Sequence, residues 1–121
     1  MTGPRMTSIA PVLQVADLDR AVDHFTRVLD FKLAWIAGGH PPTLASVCRD
    51  AIYLMLRVEK SPVRSEFYVE VEGVDAYFQR VSERGAKVVY ALADREYGMR
   101  DGRFEDPDGN QISVGEALEK K

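Results

Sequence analysis

The chain has 121 residues, 45% of them hydrophobic and 29% charged, and this length indicates one domain with room for a stable core. A net charge of −3, with no cluster of lysines and arginines, argues against a nucleic-acid partner and against an anionic membrane surface. Cys48 is the single cysteine, which excludes an intramolecular disulfide and a paired-cysteine metal site, and no apolar stretch resembles a signal or membrane segment, so we expect a cytoplasmic protein.

The first half of the sequence predicts a strand, a helix and three further strands. Apolar alternation predicts the first strand over residues 9–15, weakened near its start by Pro11. Asp17 is the expected N-cap of a helix whose apolar residues recur at helical spacing. Asp30, a residue that tolerates left-handed geometry, is expected to end it. The three further strands are predicted over residues 31–36, 44–49 and 51–58.

The second half repeats this order of elements. Phe67, Val69 and Val71 alternate with polar residues and predict a strand, after which Gly73 begins a helix and Gly85 ends it. The remaining strands are predicted over residues 87–91, 100–105 and 111–115, and the Asp-Pro-Asp-Gly-Asn segment at 106–110 predicts a turn.

An internal repeat follows from this order. An offset of 56 residues places Val15 on Val71 and Asp19 on Asp75, and the residue types agree across strand and helix. The sequence therefore predicts an α+β fold of two βαβββ modules, at residues 9–60 and 65–116, within one domain, flanked by tails at 1–8 and 117–121. Each module is expected to pack one helix on the outer face of a curved mixed sheet, whose other face encloses a cleft.

Two sequence segments carry a family resemblance. The run LQVADLDRAVDHFTRVLDF and the ending FEDPDGNQISV, together with the repeated βαβββ order, resemble the vicinal oxygen chelate superfamily. This superfamily includes glyoxalases, extradiol dioxygenases, metal-dependent fosfomycin-modifying enzymes and bleomycin-resistance proteins. The segment Tyr97-Gly98-Met99-Arg100 is also similar to one that precedes the turn in such proteins.

The resemblance implies four strand positions that hold the metal in the metal-dependent members. In this sequence they fall on Ala10, Met55, Glu66 and Ser113. A catalytic divalent ion takes about three imidazole or carboxylate ligands, and only Glu66 is of that type. The sequence departs here from the metalloenzyme pattern, so we expect no metal and no other cofactor, and the residues argue against an enzyme.

The resemblance then favours the metal-free branch, in which bleomycin-resistance proteins sequester a drug in a cleft at a dimer interface. We expect a homodimer that binds a drug or an aromatic metabolite, with aromatic walls and a few fixed polar groups. Glu66 and Glu70 are suited to pair with a cationic ligand. The expected ligand-binding residues are Trp35, Tyr53, Met55, Arg57, Glu66, Tyr68, Arg103 and Ser113.

Several alternatives stay open on the sequence alone. One is a metal-dependent lyase, isomerase or dioxygenase with ligand positions in another register, and another is an accessory module whose cleft is filled by its own side chains. Trp35 shares its parity with core residues, which favours packing over a stacking role. Surface or structural roles are also favoured over catalytic ones for the histidines His24 and His40, for Cys48 and for the turn aspartates Asp106 and Asp108.

Overall fold

The computed structural model describes residues 3–119, so residues 1, 2, 120 and 121 of the two predicted tails lie outside the described part. The first module contains β1 (Val12–Val15), α1 (Leu18–Asp23), β2 (Lys32–Ala37), β3 (Leu44–Arg49) and β4 (Ile52–Val58). The second contains β5 (Glu66–Glu70), α2 (Val74–Glu83), β6 (Lys87–Asp94), β7 (Met99–Glu105) and β8 (Gln111–Ala117). Within residues 3–119, no helix has the length and apolarity needed to cross a bilayer.

The strands form two four-stranded sheets of the same topology. Sheet A has the order β1-β4-β3-β2 and sheet B the order β5-β8-β7-β6. In each sheet the first strand pairs parallel to the last, and the other pairs are antiparallel. The predicted α+β class and the tandem βαβββ modules are confirmed.

Local sequence signals account for most element boundaries. The Asp17 carboxylate accepts a hydrogen bond from the Arg20 backbone N–H, as expected of an N-cap. After α1 the chain continues in a π-helical turn, His24–Val28, and Asp30 then takes a φ of 65°. β1 is shorter than predicted because Pro11 has no N–H to donate, and β6 runs three residues longer than predicted, to Asp94.

The two modules share one core through the sides of the sheets that carry the helices. The core joins residues of both modules, such as Leu13 and Phe25 of the first and Phe78 and Phe104 of the second. The Tyr77 hydroxyl of α2 also donates to the backbone carbonyl of Leu29, at 2.7 Å. The opposite side of each sheet, which we call its free face, therefore points away from this shared core.

The Asp-Pro-Asp-Gly-Asn turn ties the second module to the first. Asp108 Oδ1 accepts from the backbone N–H of Ala16 and from Arg20 Nη2, both at 2.9 Å. The fully buried Asn110 donates from Nδ2 to the Gln14 carbonyl at 3.1 Å. The segment predicted only as a turn thus also holds the end of β1 and the start of α1.

Candidate ligand-binding site

Strand register determines which side chains share each free face, since directly opposed residues project to the same side. In sheet A the free face carries Val12, Gln14, Trp35, Tyr53, Met55 and Arg57. In sheet B it carries Glu66, Tyr68, Tyr90, Asp101, Arg103 and Ser113. All eight residues expected at the ligand site from the sequence therefore lie on the two free faces, divided between the sheets.

The register also aligns the two halves position by position. Val12 pairs with Met55 in sheet A, and Tyr68 pairs with Ser113 in sheet B. Since Val12 and Tyr68 are related by the repeat offset, Met55 and Ser113 occupy equivalent positions of the two modules. The four presumed ligand positions thus form two pairs, with Ala10 and Met55 in the first module and Glu66 and Ser113 in the second.

Trp35 reaches the free face through an irregularity in β2. Leu33 is opposite Val47, but Trp35 is opposite Ser46, so the register shifts between them. Without that bulge Trp35 would share the face of Leu33, as its parity in the sequence indicates. The core-packing interpretation of Trp35 is therefore wrong: the ring lies on the free face and is 43% exposed.

The free faces are uncovered in the single chain. The exposed fractions are 51% for Tyr53, 46% for Tyr68 and 38% for Tyr90. Met55 lies on the same strand as Tyr53, opposite Val12, and is half-buried. Arg57 is held by Glu59 through a 2.9 Å hydrogen bond. Exposed aromatic rings on an open sheet face are typical of places where a ligand or another surface binds.

A buried carboxylate organises the free face of sheet B. Asp101 is 2% exposed and accepts from the hydroxyls of Tyr68 and Tyr97 at 2.9 and 2.6 Å, and from Arg95 Nε at 2.8 Å. Burial alone would raise the pKa of Asp101, but these three donors outweigh it and hold the pKa below its ordinary value. Burial and the hydrogen bond to Asp101 raise the pKa of the Tyr68 phenol, so this ring stays protonated. The cluster fixes two tyrosine rings at the surface.

Arg103 lies between the two presumed ligand positions of the second module. Its Nε donates to Ser113 Oγ at 2.8 Å, and its Nη1 is 3.5 Å from Glu66 Oε2. The guanidinium carbon also lies 5.1 Å from the centroid of the Tyr90 ring, within range of a cation–π contact.

The donor set does not fit a catalytic metal ion. Ala10 has no donor atom, Met55 offers a soft thioether, and Ser113 is engaged by Arg103. The fixed positive charge of Arg103 beside Glu66 would repel a divalent cation from the one carboxylate present. Within residues 3–119, no group of three or more histidine, cysteine, aspartate and glutamate side chains is arranged to hold a metal.

Part of the sheet B cluster is not indicated by any sequence motif. Tyr90, Arg95 and Asp101 were not selected, although alternation along β7 places Asp101 on the same side as Arg103. Arg100, at the end of the Tyr97-Gly98-Met99-Arg100 segment, points to α2, where its Nη2 pairs with Asp75 at 2.8 Å. Parity along one strand, applied consistently, would have separated these two arginines.

The residues for which the sequence favours surface or structural roles lie away from the exposed aromatic rings or lack a catalytic partner. Burial lowers the pKa of His24, whose ring packs edge-on against Phe25. Asp106 accepts from the backbone N–H groups of Asp108 and Asn110 and stabilises the turn. Cys48 lies on the free face of sheet A opposite Lys32, and its thiol makes no hydrogen bond among residues 3–119.

Tandem βαβββ modules with an open face on each sheet define the vicinal oxygen chelate fold. The sequence profile of the Glyoxalase/Bleomycin resistance protein/Dioxygenase superfamily matches residues 6–114, and the chain belongs to this superfamily. No protein of curated function matches it.

Solved structures with this fold come from several bacteria. TioX from Micromonospora sp. ML1 has a TM-score of 0.79 and 26% identity, covering 92% of this chain and 100% of that one. A glyoxalase/bleomycin resistance protein/dioxygenase from Nocardioides has a TM-score of 0.76 and 21% identity, covering 99% and 89%. A glyoxalase-related enzyme from Clostridium phytofermentans has a TM-score of 0.81 and 19% identity, covering 98% and 100%.

Proposed function

We propose that this protein is a metal-independent small-molecule binding protein of the bleomycin-resistance type. It sequesters a planar drug or aromatic metabolite and does not convert it chemically. The observation that carries this proposal is Arg103, which takes the place between Glu66 and Ser113 where a metal-dependent relative needs ligands. Exposed aromatic rings on both free faces supply the walls that such a ligand needs.

The cleft is completed by a second copy of the chain. The two free faces of one chain point away from the shared core, so they cannot enclose a ligand together. Sheet A of one chain facing sheet B of its partner brings Trp35 and Tyr53 opposite Tyr68 and Arg103. The proposed assembly is therefore a homodimer with two equal clefts.

Metal retention tests the proposal against the metal-dependent lyase, isomerase or dioxygenase alternative. The purified protein is exposed to a mixture of Mn, Fe, Co, Ni and Zn, desalted and analysed for each element. We expect no retained metal, and the same result for Glu66→Gln, which removes the one suitable ligand. Retention of about one metal per chain, lost in Glu66→Gln, would overturn the proposal.

Ligand stabilisation tests the binding activity itself. A panel of antibiotics and aromatic metabolites is screened by thermal shift, because a ligand that binds the native state raises the melting temperature. We expect hits among planar aromatic compounds that Tyr53→Ala weakens. Arg27→Gln, on the exposed side of the first helical segment, is the matched control and leaves those shifts unchanged.

A further inference from the structure

Glu66 and Arg103 are the two charged side chains at the position where the metal-dependent members would hold their metal. They differ in how firmly the protein holds them. The Glu66 side chain is 68% exposed and has no hydrogen bond within residues 3–119, so its carboxylate can turn away. The Arg103 side chain is 27% exposed and is fixed by Ser113 and by the Tyr90 ring. A guanidinium held in this way has lost its conformational entropy before a ligand arrives.

Arg103 also has donors left for a ligand. Its Nε is used by Ser113, whereas Nη2 donates to no acceptor among residues 3–119, and Nη1 reaches Glu66 only at 3.5 Å, too long for a good hydrogen bond. Arg103 also lines a recess of about 410 Å³, together with Arg64, Ser65, Glu66 and Gln111. Two arginines against one glutamate give this recess a net positive charge.

We propose that the ligand carries a carboxylate, or a similar pair of adjacent oxygen atoms on an anionic group, and that Arg103 binds it. The inference rests on the proposed function and names the ligand class for that same site. The planar guanidinium fork matches two oxygens of one carboxylate, which a point charge does not. The planar part of the ligand then lies over Tyr68 of sheet B, under the aromatic face of the partner's sheet A. This reverses the sequence-based expectation of a cationic ligand held by Glu66 and Glu70.

Three probes of one shape and different charge test the inference: naphthoate, its neutral amide, and naphthylmethylammonium. Each is titrated into the full-length protein by isothermal calorimetry. We expect naphthoate to bind about 10- to 100-fold more tightly than the other two, the effect of a hydrogen-bonded charge pair. Arg103→Gln abolishes this preference, so that naphthoate and the amide bind the variant with Kd values within about twofold of each other, while Arg27→Gln keeps it.

Arg103→Lys separates recognition from folding, since it keeps the charge and removes the fork. Circular dichroism and the melting temperature establish that each variant is folded, and the lysine variant is expected to retain only part of the preference. Equal affinity for all three probes, tighter binding of the ammonium, or an undiminished preference in Arg103→Gln overturns the inference and leaves the proposed function standing. If none of the three probes gives a signal in calorimetry or thermal shift, the result overturns both this inference and the proposed aromatic sequestration.

Discussion

The hydroxyl of Tyr68 lies directly over the backbone of Gly115 and donates to Asp101 Oδ2 at 2.9 Å. A Cβ built on Gly115 would overlap the phenol oxygen and would lie 2.7 Å from Tyr68 Cζ and 2.9 Å from Asp101 Cβ. The close approach of the ring, and not an unusual backbone angle, therefore requires glycine at this position. It lets Tyr68 lie flat on sheet B and reach the buried carboxylate.

Gly115→Ala is expected to destabilise the protein by about 1–3 kcal/mol, because the new methyl group displaces the ring or strains the sheet. Urea denaturation measures the free energy of unfolding. Gly3→Ala is the matched control, since a Cβ there meets nothing within 4 Å. The double variant Gly115→Ala/Tyr68→Ala should cost less than the sum of the two single variants; strict additivity would contradict the contact.

The Asp101 cluster predicts a loss of stability in acid. The pKa of Asp101 lies below its ordinary value of 3.8 in the folded protein, so its contribution is complete above that pH and is lost as pH falls through the lowered pKa. Asp101→Asn is expected to lose about 1–3 kcal/mol at neutral pH and to show a shallower decline towards pH ~3. Urea denaturation across pH measures both effects, and an unchanged acid slope in the variant would count against the assignment.

The contribution of Asp106 to stability changes with pH in the opposite direction to that of Asp101. Burial raises its pKa, which favours the protonated form in the folded state. Its contribution to stability therefore improves as pH falls through the raised pKa, and Asp106→Asn should be less harmful at neutral pH than Asp101→Asn. A larger loss for Asp106→Asn than for Asp101→Asn, measured by the same denaturation, would be the contrary result.

The turn that ties the modules predicts a contrast between two neighbouring contacts. Asn110→Ala leaves the Ser65 N–H, the Gln14 carbonyl and an Asp106 oxygen without their partner, so a loss of about 2–4 kcal/mol is expected. Arg20→Ala removes one donor from Asp108, whose side chain is 3% exposed, but the backbone N–H of Ala16 still holds that carboxylate, so a smaller loss of about 1–2 kcal/mol is expected. Equal losses in thermal or urea unfolding would argue against the role given to Asn110.

Substitution of Trp35 tests the proposed dimer. Trp35→Lys places a charge in the proposed dimer interface and is expected to shift the mass in sedimentation equilibrium from twice the 13.6 kDa of one chain to a single chain. Gln79→Lys, on the exposed side of α2, introduces the same charge and should leave the dimer intact. A wild-type protein that stays monomeric at high concentration would contradict the dimer.

The parts of the fold that depend on local pattern could be predicted from the sequence. Apolar alternation, the Asp17 cap and the repeat offset led to the modules, and the same alternation led to Tyr53 and Tyr68. The face on which Trp35 lies could not be predicted, because a one-residue bulge reverses the alternation of side chains along β2. No residue type in β2 signals that bulge.

Long-range clusters were equally hidden in the sequence. Asp30 was predicted only as a helix-ending residue, yet it accepts from Arg49, Arg80 and Arg84 and so links β3 and α2 to the first helical segment. Those partners are 19 to 54 residues away. Which charges meet over such separations is decided by how the modules pack, and a one-dimensional pattern does not contain that information.

The outward direction of the two free faces has a genetic consequence. Each cleft of the proposed dimer takes one wall from either chain, so a lesion in sheet A and a lesion in sheet B carried by different chains fall into the same cleft. The other cleft is then assembled from two intact walls. Two binding-defective alleles, Tyr53→Ala and Arg103→Gln, should therefore restore ligand binding when co-expressed, although neither variant binds the ligand well alone.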